Sequence, residues 1–354
     1  MSKLPQISSK ARTIKSSSIT QVAQLSGTSV ATVSRVFNNS NYVSKEIAER
    51  IKEIARQLNY SPDSRGRSLR SGKHWNIGII VAHGKYCDSQ FNERMISYLV
   101  RWITNNDYGV SLEFLERGKS SKLEKPVLLT SNKVDGLVVI GHLDQKELEQ
   151  IAHWGKAVCL IENRFESPGF SSVNLSHKEG SIEAISYLVS LGHTHIGYIH
   201  GSLEWPSTHG RFEGYKAGIA ANGIAFNPDY VVQVDEQQQN YHGGYSATQT
   251  LLKKSPEITA ILYVNDWYTI GGLAAVQAMG RNVPDDISLI GYDDHWMASE
   301  VVPSLTTISA EMDELCRSGV ELLLRAIESN SQTQSNALVW PHLVVRKSCG
   351  PVAH

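Results

Sequence analysis

Apolar residues along the chain follow two different rhythms. In the first sixty residues they recur at helical spacing. "ITQVAQLS" puts Ile19, Val22 and Ala23 on one face, with Ser18 placed to cap its start and Gly27 to end it. "VATVSRVF", capped by Ser29, buries Val33, Val36 and Phe37 at i, i+3, i+4. "KEIAERIKEIARQLN", capped by Ser44, repeats Ile47, Ile51, Ile54, Ala55 and Leu58 at the same spacing. From Trp75 onward the rhythm becomes short continuous apolar runs: "IGIIVA", "VSLEFL", "VDGLVVI", "AVCLIE", "HIGYIH", "ITAILYV" and "DISLIGY". Amphipathic stretches separate most of these runs. Apolar strands alternating with helices predict parallel sheets covered on both faces, here two doubly wound lobes. Ligands of such sheets bind at the carboxyl ends of the strands, in the cleft between lobes.

The second helix has apolar residues on two sides. Val30 and Ala31 lie opposite the buried stripe, beside Ser34 and Arg35. Two short helices joined by a glycine-containing turn form a helix-turn-helix, whose second helix enters the DNA major groove. This explains the outward face. Val30 and Ala31 suit thymine methyls and Arg35 suits guanine O6 and N7, each good contact giving ~1–3 kcal/mol of discrimination. Ser18, Ser29, Ser34 and Asn38 are candidates to hold phosphates, which set register without reading bases.

Charge agrees with this picture. The chain is close to neutral at net −1, yet its first 73 residues carry +9 and the rest −10. A basic module that meets a polyanion, joined to an acidic globular body, is the implied organisation. Residues 1–17 are polar and basic and are expected to be disordered. They lack the apolar stretch of a secretory signal, and no run approaches a membrane span. The four cysteines are scattered without CxxC spacing, as expected of reduced thiols in a cytoplasmic protein. His193, His195 and His200 in "GHTHIGYIH" read as a helix end running into a strand rather than as a metal site. None of GxGxxG, a P-loop, GxSxG or HExxH occurs, so neither an enzyme, a cofactor nor a metal is expected.

"ITQVAQLSGTSVATVSRVFN" followed by "LNYSPDSRGRSLRSGK" resembles the DNA-binding head and hinge of the lactose/galactose-repressor (LacI/GalR) family. The resemblance extends from about Ser18 to the C-terminus. In the head, Gln21, Ser26 and Thr28 replace the usual aspartate, alanine and valine. Pro62 ends the third helix, and Tyr60 just before it joins the DNA-contact candidates. Asp63 then caps a short segment, "SRGRSLRSG". In the family this segment folds into a hinge helix on operator DNA, and a leucine from each of two copies pries open a base step in the minor groove. The matching residue is Leu69, flanked by Arg65, Arg67 and Arg70, which suit a narrow negative groove. Gly66 replaces the family's usual alanine there, at a helix cost of ~0.5–1 kcal/mol.

The body resembles the family's periplasmic-binding-protein-like core through "VDGLVVI", "SLGHTHIGYIHG", "RFEGY", "NDWYTIGGLAAVQAMGRNVPDDISLIGYDD" and "VPSLTTI" in order. The implied architecture is an all-α helix-turn-helix head plus an α/β two-lobed core. Its segments are a tail at 1–17, a head at 18–62 and a hinge at 63–74. The first lobe comprises 75–176 plus 306–337, and the second 177–305 plus 338–354. The resemblance carries effector-binding roles to Arg211, Asn265 and Asp293, and to Glu162 where the family often has aspartate. Trp205 and Trp267 are aromatic candidates to stack on a ligand. Gln239, with Tyr241 close by, stands where the family often supplies a stacking aromatic, so a purine or another polar metabolite stays open beside a sugar. Helix "FNERMISYLVRWITNND" and segment 267–281 match the family's dimer surfaces. No leucine heptad follows "LVVRKSC", which implies a homodimer.

The expected function is a DNA-binding transcriptional repressor acting on a pseudo-palindromic operator. A small sugar bound between the lobes would release it from a carbohydrate operon. A co-repressor mode is equally open, and a sugar receptor without DNA function or an enzyme using the cleft are the rival classes.

Overall fold

A computed structural model describes residues 18–37, 42–58, 60, 73–82, 89–115, 125–131, 133–141, 143–163, 170–235, 238, 240–329 and 334–352. The chain divides into two compact units, one ending at His74 and the other beginning at Trp75. The expected tail and most of the hinge, Gly66 included, lie outside the described residues.

The first unit contains α1 (Ile19–Ser26), α2 (Val30–Phe37) and α3 (Lys45–Gln57). Val22, Ala23, Val33, Val36, Ile51 and Ala55 are its buried core, ringed by Ile19, Phe37, Ile47, Ile54, Leu58 and Tyr60. Ser18 and Gln21 close a reciprocal capping box: the Gln21 N–H donates to Ser18 Oγ at 3.3 Å and the Ser18 N–H to Gln21 Oε1 at 3.1 Å. Gln21 thus makes a cap in which an acidic residue is not required. Gly27 ends α1 at φ 64°, the left-handed conformation that favours glycine. Ser26 and Thr28 hydrogen-bond each other across this turn at 2.8 Å. Two of the head's departures from the family pattern therefore satisfy one another.

The second unit begins with β1 (Asn76–Ala82), α4 (Ser89–Asn105), β2 (Gly109–Leu115) and α5 (Val127–Thr130). It continues with β3 (Gly136–Ile140), α6 (Gln145–Ala152), β4 (Ala157–Ile161) and β5 (Ser171–Leu175). Next come α7 (His177–Ser190), β6 (Ile196–His200), α8 (Pro206–Ala221), β7 (Val231–Gln233), α9 (Tyr241–Lys254) and β8 (Ala260–Tyr263). The chain then forms α10 (Asp266–Ala278), β9 (Ser288–Asp293), α11 (Met297–Glu300) and β10 (Thr306–Ser309). Finally come α12 (Met312–Ser329), β11 (Asn336–Val339) and β12 (His342–Val344).

These strands build two six-stranded sheets, ordered β2-β1-β3-β4-β5-β11 and β7-β6-β8-β9-β10-β12. Every pairing is parallel except β10 with β12. The central strands are buried along their whole length, as in β3, β6, β8 and β9. That matches continuous apolar runs covered by helices on both faces. The chain passes between sheets after β5, after β10 and after β11.

One boundary differs from the sequence reading. Residues from 306 were expected to return to the first lobe, but Thr306–Ser309 pairs with β9, from Thr306 opposite Ile290 to Ser309 opposite Asp293. The return comes instead at α12, whose Met312, Leu315, Cys316, Val320 and Leu323 pack into the core of the first sheet. The last crossing follows Val339 rather than 337. The hydroxyl-rich strands hid this. Thr306 and Thr307 are fully buried, but their hydroxyls are hydrogen-bonded, so the segment does not read as apolar.

Candidate functional site

The head exposes three of its candidates on α2. Ala31 and Arg35 are exposed on the side of α2 away from the buried Val33 and Val36, and Val30, the first residue of the helix, is 43% exposed. Ser29 Oγ accepts the Thr32 N–H at 3.1 Å and Ser18 caps α1, so both serines stand at helix N-termini where backbone N–H groups favour phosphate. Ser34 is half-buried on α2. Tyr60 is tied to the helices: its N–H donates to the Ala55 carbonyl at 2.8 Å and its ring meets Phe37 edge-on at 5.8 Å. Asn38, Arg67, Leu69 and Arg70 lie outside the described residues, as do Arg65 and Gln239.

In the second unit, contacts tie three of the candidates, Arg211, Asp293 and Glu162, into one network. Arg211 on α8 is buried. Its Nη2 donates to Asp293 Oδ1 at 2.9 Å, its Nη1 to the Val264 carbonyl, and its Nε to His177 Nδ1 at 3.3 Å. Its guanidinium stacks over the Tyr292 ring, 3.7 Å from the centroid. A side chain at Gly214 would collide with the Lys178 carbonyl and Ser181 on α7, so glycine there lets α8 approach closely enough for Arg211 to reach His177. Glu162, just past β4, lies 2.6 Å from His177 Nε2 and accepts the Leu175 N–H at 2.7 Å. Arg94 on α4 donates to the Asp293 carbonyl at 3.1 Å, so Asp293 is held by residues packed on both sheets. Glu162 and Asp293 both adopt left-handed backbone, at φ 59° and 102°, a strain that surrounding contacts must over-determine.

Asn265 spends its side-chain oxygen on capping α10, accepting the Tyr268 N–H at 2.9 Å. The next residue, Asp266, is buried and accepts from the His295 N–H and the Thr307 hydroxyl, both at 2.6 Å. Burial and the neighbouring Asp293 push its carboxyl well above the usual range. Burial alone would raise Glu162 too. His177, the Leu175 N–H and Arg211 outweigh it and hold Glu162 below the usual carboxylate range. Trp267 is half-buried with its ring 5.4 Å from His295, and its Nε1 is buried without a hydrogen-bond partner among the described residues. Trp205 sits at the start of α8, outside this cluster of contacts.

Sequence reading missed His177, Tyr292, Arg94 and Asp266. The signal for Tyr292 and Asp266 was adjacency to a named candidate; His177 and Arg94 carried none, because only the fold brings them in. The three histidines of "GHTHIGYIH" have separate surroundings. His193 bonds Thr259, Ser288 and the Gly350 carbonyl, His195 packs near Tyr230, and His200 bonds the Gly201 carbonyl. Among the described residues no group of three His, Cys, Asp or Glu could hold a metal ion, and no helix is long and apolar enough to cross a membrane. Cys159, Cys316 and Cys349 are free thiols, and burial pushes Cys159 and Cys349 up to about 12.

Comparison with known proteins accounts for both units. The family model "Bacterial regulatory proteins, lacI family" matches residues 18–63, and "Periplasmic binding protein-like domain" matches residues 185–349. The ribose operon repressor of Haemophilus influenzae is 28% identical over 328 residues, covering 92% of this chain and 97% of the relative. The transcriptional repressor PurR of Pasteurella multocida is 28% identical over 332 residues, covering 93% and 98%. The crystal structure of the lac repressor dimer bound to operator and the anti-inducer ONPF superposes with a TM-score of 0.73 at 25% identity, covering 94% of this chain and 99% of that one. The two family matches and the full-length similarity to named repressors converge: this chain joins a lacI-family DNA-binding domain to a periplasmic-binding-protein-like domain and is similar along its length to DNA-binding transcriptional repressors.

Proposed function

We propose that the protein is a cytoplasmic homodimeric repressor that reads a pseudo-palindromic operator and is released by a small hydroxyl-rich effector. The observation that carries the DNA-reading role is the face of α2: Val30, Ala31 and Arg35 point outward from a helix whose other side is anchored in the core. The hinge role of Arg67, Leu69 and Arg70, and the phosphate role of Asn38, rest on family resemblance.

The effector site is the cluster of Arg211, Asn265, Trp267 and Asp293, with Glu162 behind it. Arginine and carboxylate side by side supply donors and acceptors, which suits hydroxyls that both give and take. The ribose repressor among the relatives favours a sugar. A purine is the second reading, with the buried Trp267 indole N–H as a donor for a ring nitrogen. The site binds its ligand rather than converting it. Dimerisation is supported by the edge strand β2, where Leu112 and Phe114 are 43% and 49% exposed on the same face as Val110, which packs against the core holding α4.

A thermal-shift screen against monosaccharides, disaccharides, purines and nucleosides tests the effector class. A ligand at about 100 times its Kd adds ~2.7 kcal/mol of stability. A sugar that raises the melting temperature of the wild type but not of Asp293→Ala supports the reading. A response confined to purines replaces it with the second one.

A further inference from the structure

The contacts around Arg211 fix the protonation pattern of His177, which opens α7. Its Nδ1 lies 3.3 Å from Arg211 Nε. An arginine Nε always carries hydrogen and cannot accept, so Nδ1 is the acceptor and bears no proton. The ring proton then sits on Nε2, which faces Glu162 Oε2 at 2.6 Å. The other Glu162 oxygen takes the Leu175 N–H. Both carboxylate oxygens therefore already accept hydrogens from the protein. The groups facing His177 come from every neighbouring element: Glu162 after β4, Arg211 on α8, and Tyr292 on β9 at 6.1 Å between ring centroids. Asp293 lies behind Arg211, and Lys178 and Glu179 follow His177 on α7.

We infer that His177 is a positioning residue: oriented by Glu162 as the neutral Nε2–H tautomer, it accepts the Arg211 Nε–H and fixes the guanidinium plane against Tyr292 and Asp293. Glu162 acts through His177 rather than on the effector. With Nε, one Nη1 hydrogen and one Nη2 hydrogen committed, Arg211 keeps one hydrogen on each Nη for a ligand. That final step rests on the effector reading above, while the tautomer stands or falls without any ligand. A proton added at Nδ1 would face a donor and break the hold on Arg211.

The test uses the full chain with 15N-labelled histidine rings and arginine side chains, assigned by difference from His177→Asn and Arg211→Met. The expected spectrum shows His177 as the Nε2–H tautomer at neutral pH, with a protected Arg211 Nε–H. In His177→Asn, whose Oδ1 can replace the Nδ1 acceptor, that protection persists. In His177→Leu it is lost, with exchange at least about tenfold faster. An imidazolium or an Nδ1–H tautomer at neutral pH overturns the inference. So does unchanged Arg211 protection in His177→Leu. Should the leucine variant fail to fold, the wild-type tautomer decides alone. A screen in which no sugar or purine binds would remove the effector reading and leave the tautomer result untouched.

Discussion

In the proposed function single side chains carry both specificities, and each can be removed alone. Arg35→Ala takes a donor fork from the exposed face of α2 and leaves the buried stripe intact. The expected result is a loss of ~1–3 kcal/mol on specific DNA, while salt-dependent binding to random duplex stays. Equal loss on both duplexes, measured by fluorescence anisotropy across a salt series, would assign Arg35 to phosphate instead. In the body, Asp293→Ala strands the buried Arg211 guanidinium without its carboxylate. Breaking such a pair costs ~3–5 kcal/mol, whereas replacing both partners by apolar groups is close to neutral. Urea unfolding should therefore find Asp293→Ala less stable than the double variant Arg211→Met, Asp293→Leu. The reverse order would mean that Arg211 finds other anionic support.

At the scale of elements, the head shows how departures from a family pattern compensate. Ser26→Ala alone leaves the Thr28 hydroxyl without its 2.8 Å partner, while Ser26→Ala with Thr28→Val removes both. Losing one partner of a shielded hydrogen bond costs ~1–3 kcal/mol and losing both is nearly neutral, so the double variant should melt above the single. In the body, burial lowers His193 on the turn before β6 and His200 at its end below the ordinary value of 6.5. The unfolded chain then binds more protons, so both histidines contribute stability above that value, and the contribution is lost as pH falls below it. His200→Asn should flatten the fall in melting temperature between neutral pH and pH 5; an unchanged slope would remove His200 from the cause.

The helices of the head were legible because each carries its own cap and stripe; Ser18, Gly27, Ser29 and Ser44 all stand where the pattern put them. The central strands were legible because they are apolar throughout. β5, β7, β10, β11 and β12 were not. They are short, β5 and β10 are rich in hydroxyl residues, and each is defined by its sheet partners rather than by a continuous apolar run. The site divides the same way. Arg211, Asn265 and Asp293 could be named from motifs, but the link from Glu162 through His177 to Arg211 needs three elements folded together, which no spacing records.

In the whole molecule a basic head is joined to a body in which Asp293, at the end of β9, is held by side chains from helices packed on both sheets. Arg94 from α4 and Arg211 from α8 grip that residue through its carbonyl and its carboxylate. An effector that binds there can change DNA affinity only by its differential affinity for the two conformations of the body, and DNA must alter effector affinity by the same factor. The most direct test of that claim is operator binding at fixed salt, with a duplex selected from a random pool and followed by anisotropy as sugars and purines are titrated in. A neutral sugar is expected to weaken binding of the wild type and to have no effect on Asp293→Ala. Tight, selective DNA binding that no sugar alters, but that a purine strengthens, would contradict release by a sugar and make the protein a co-repressor-dependent regulator.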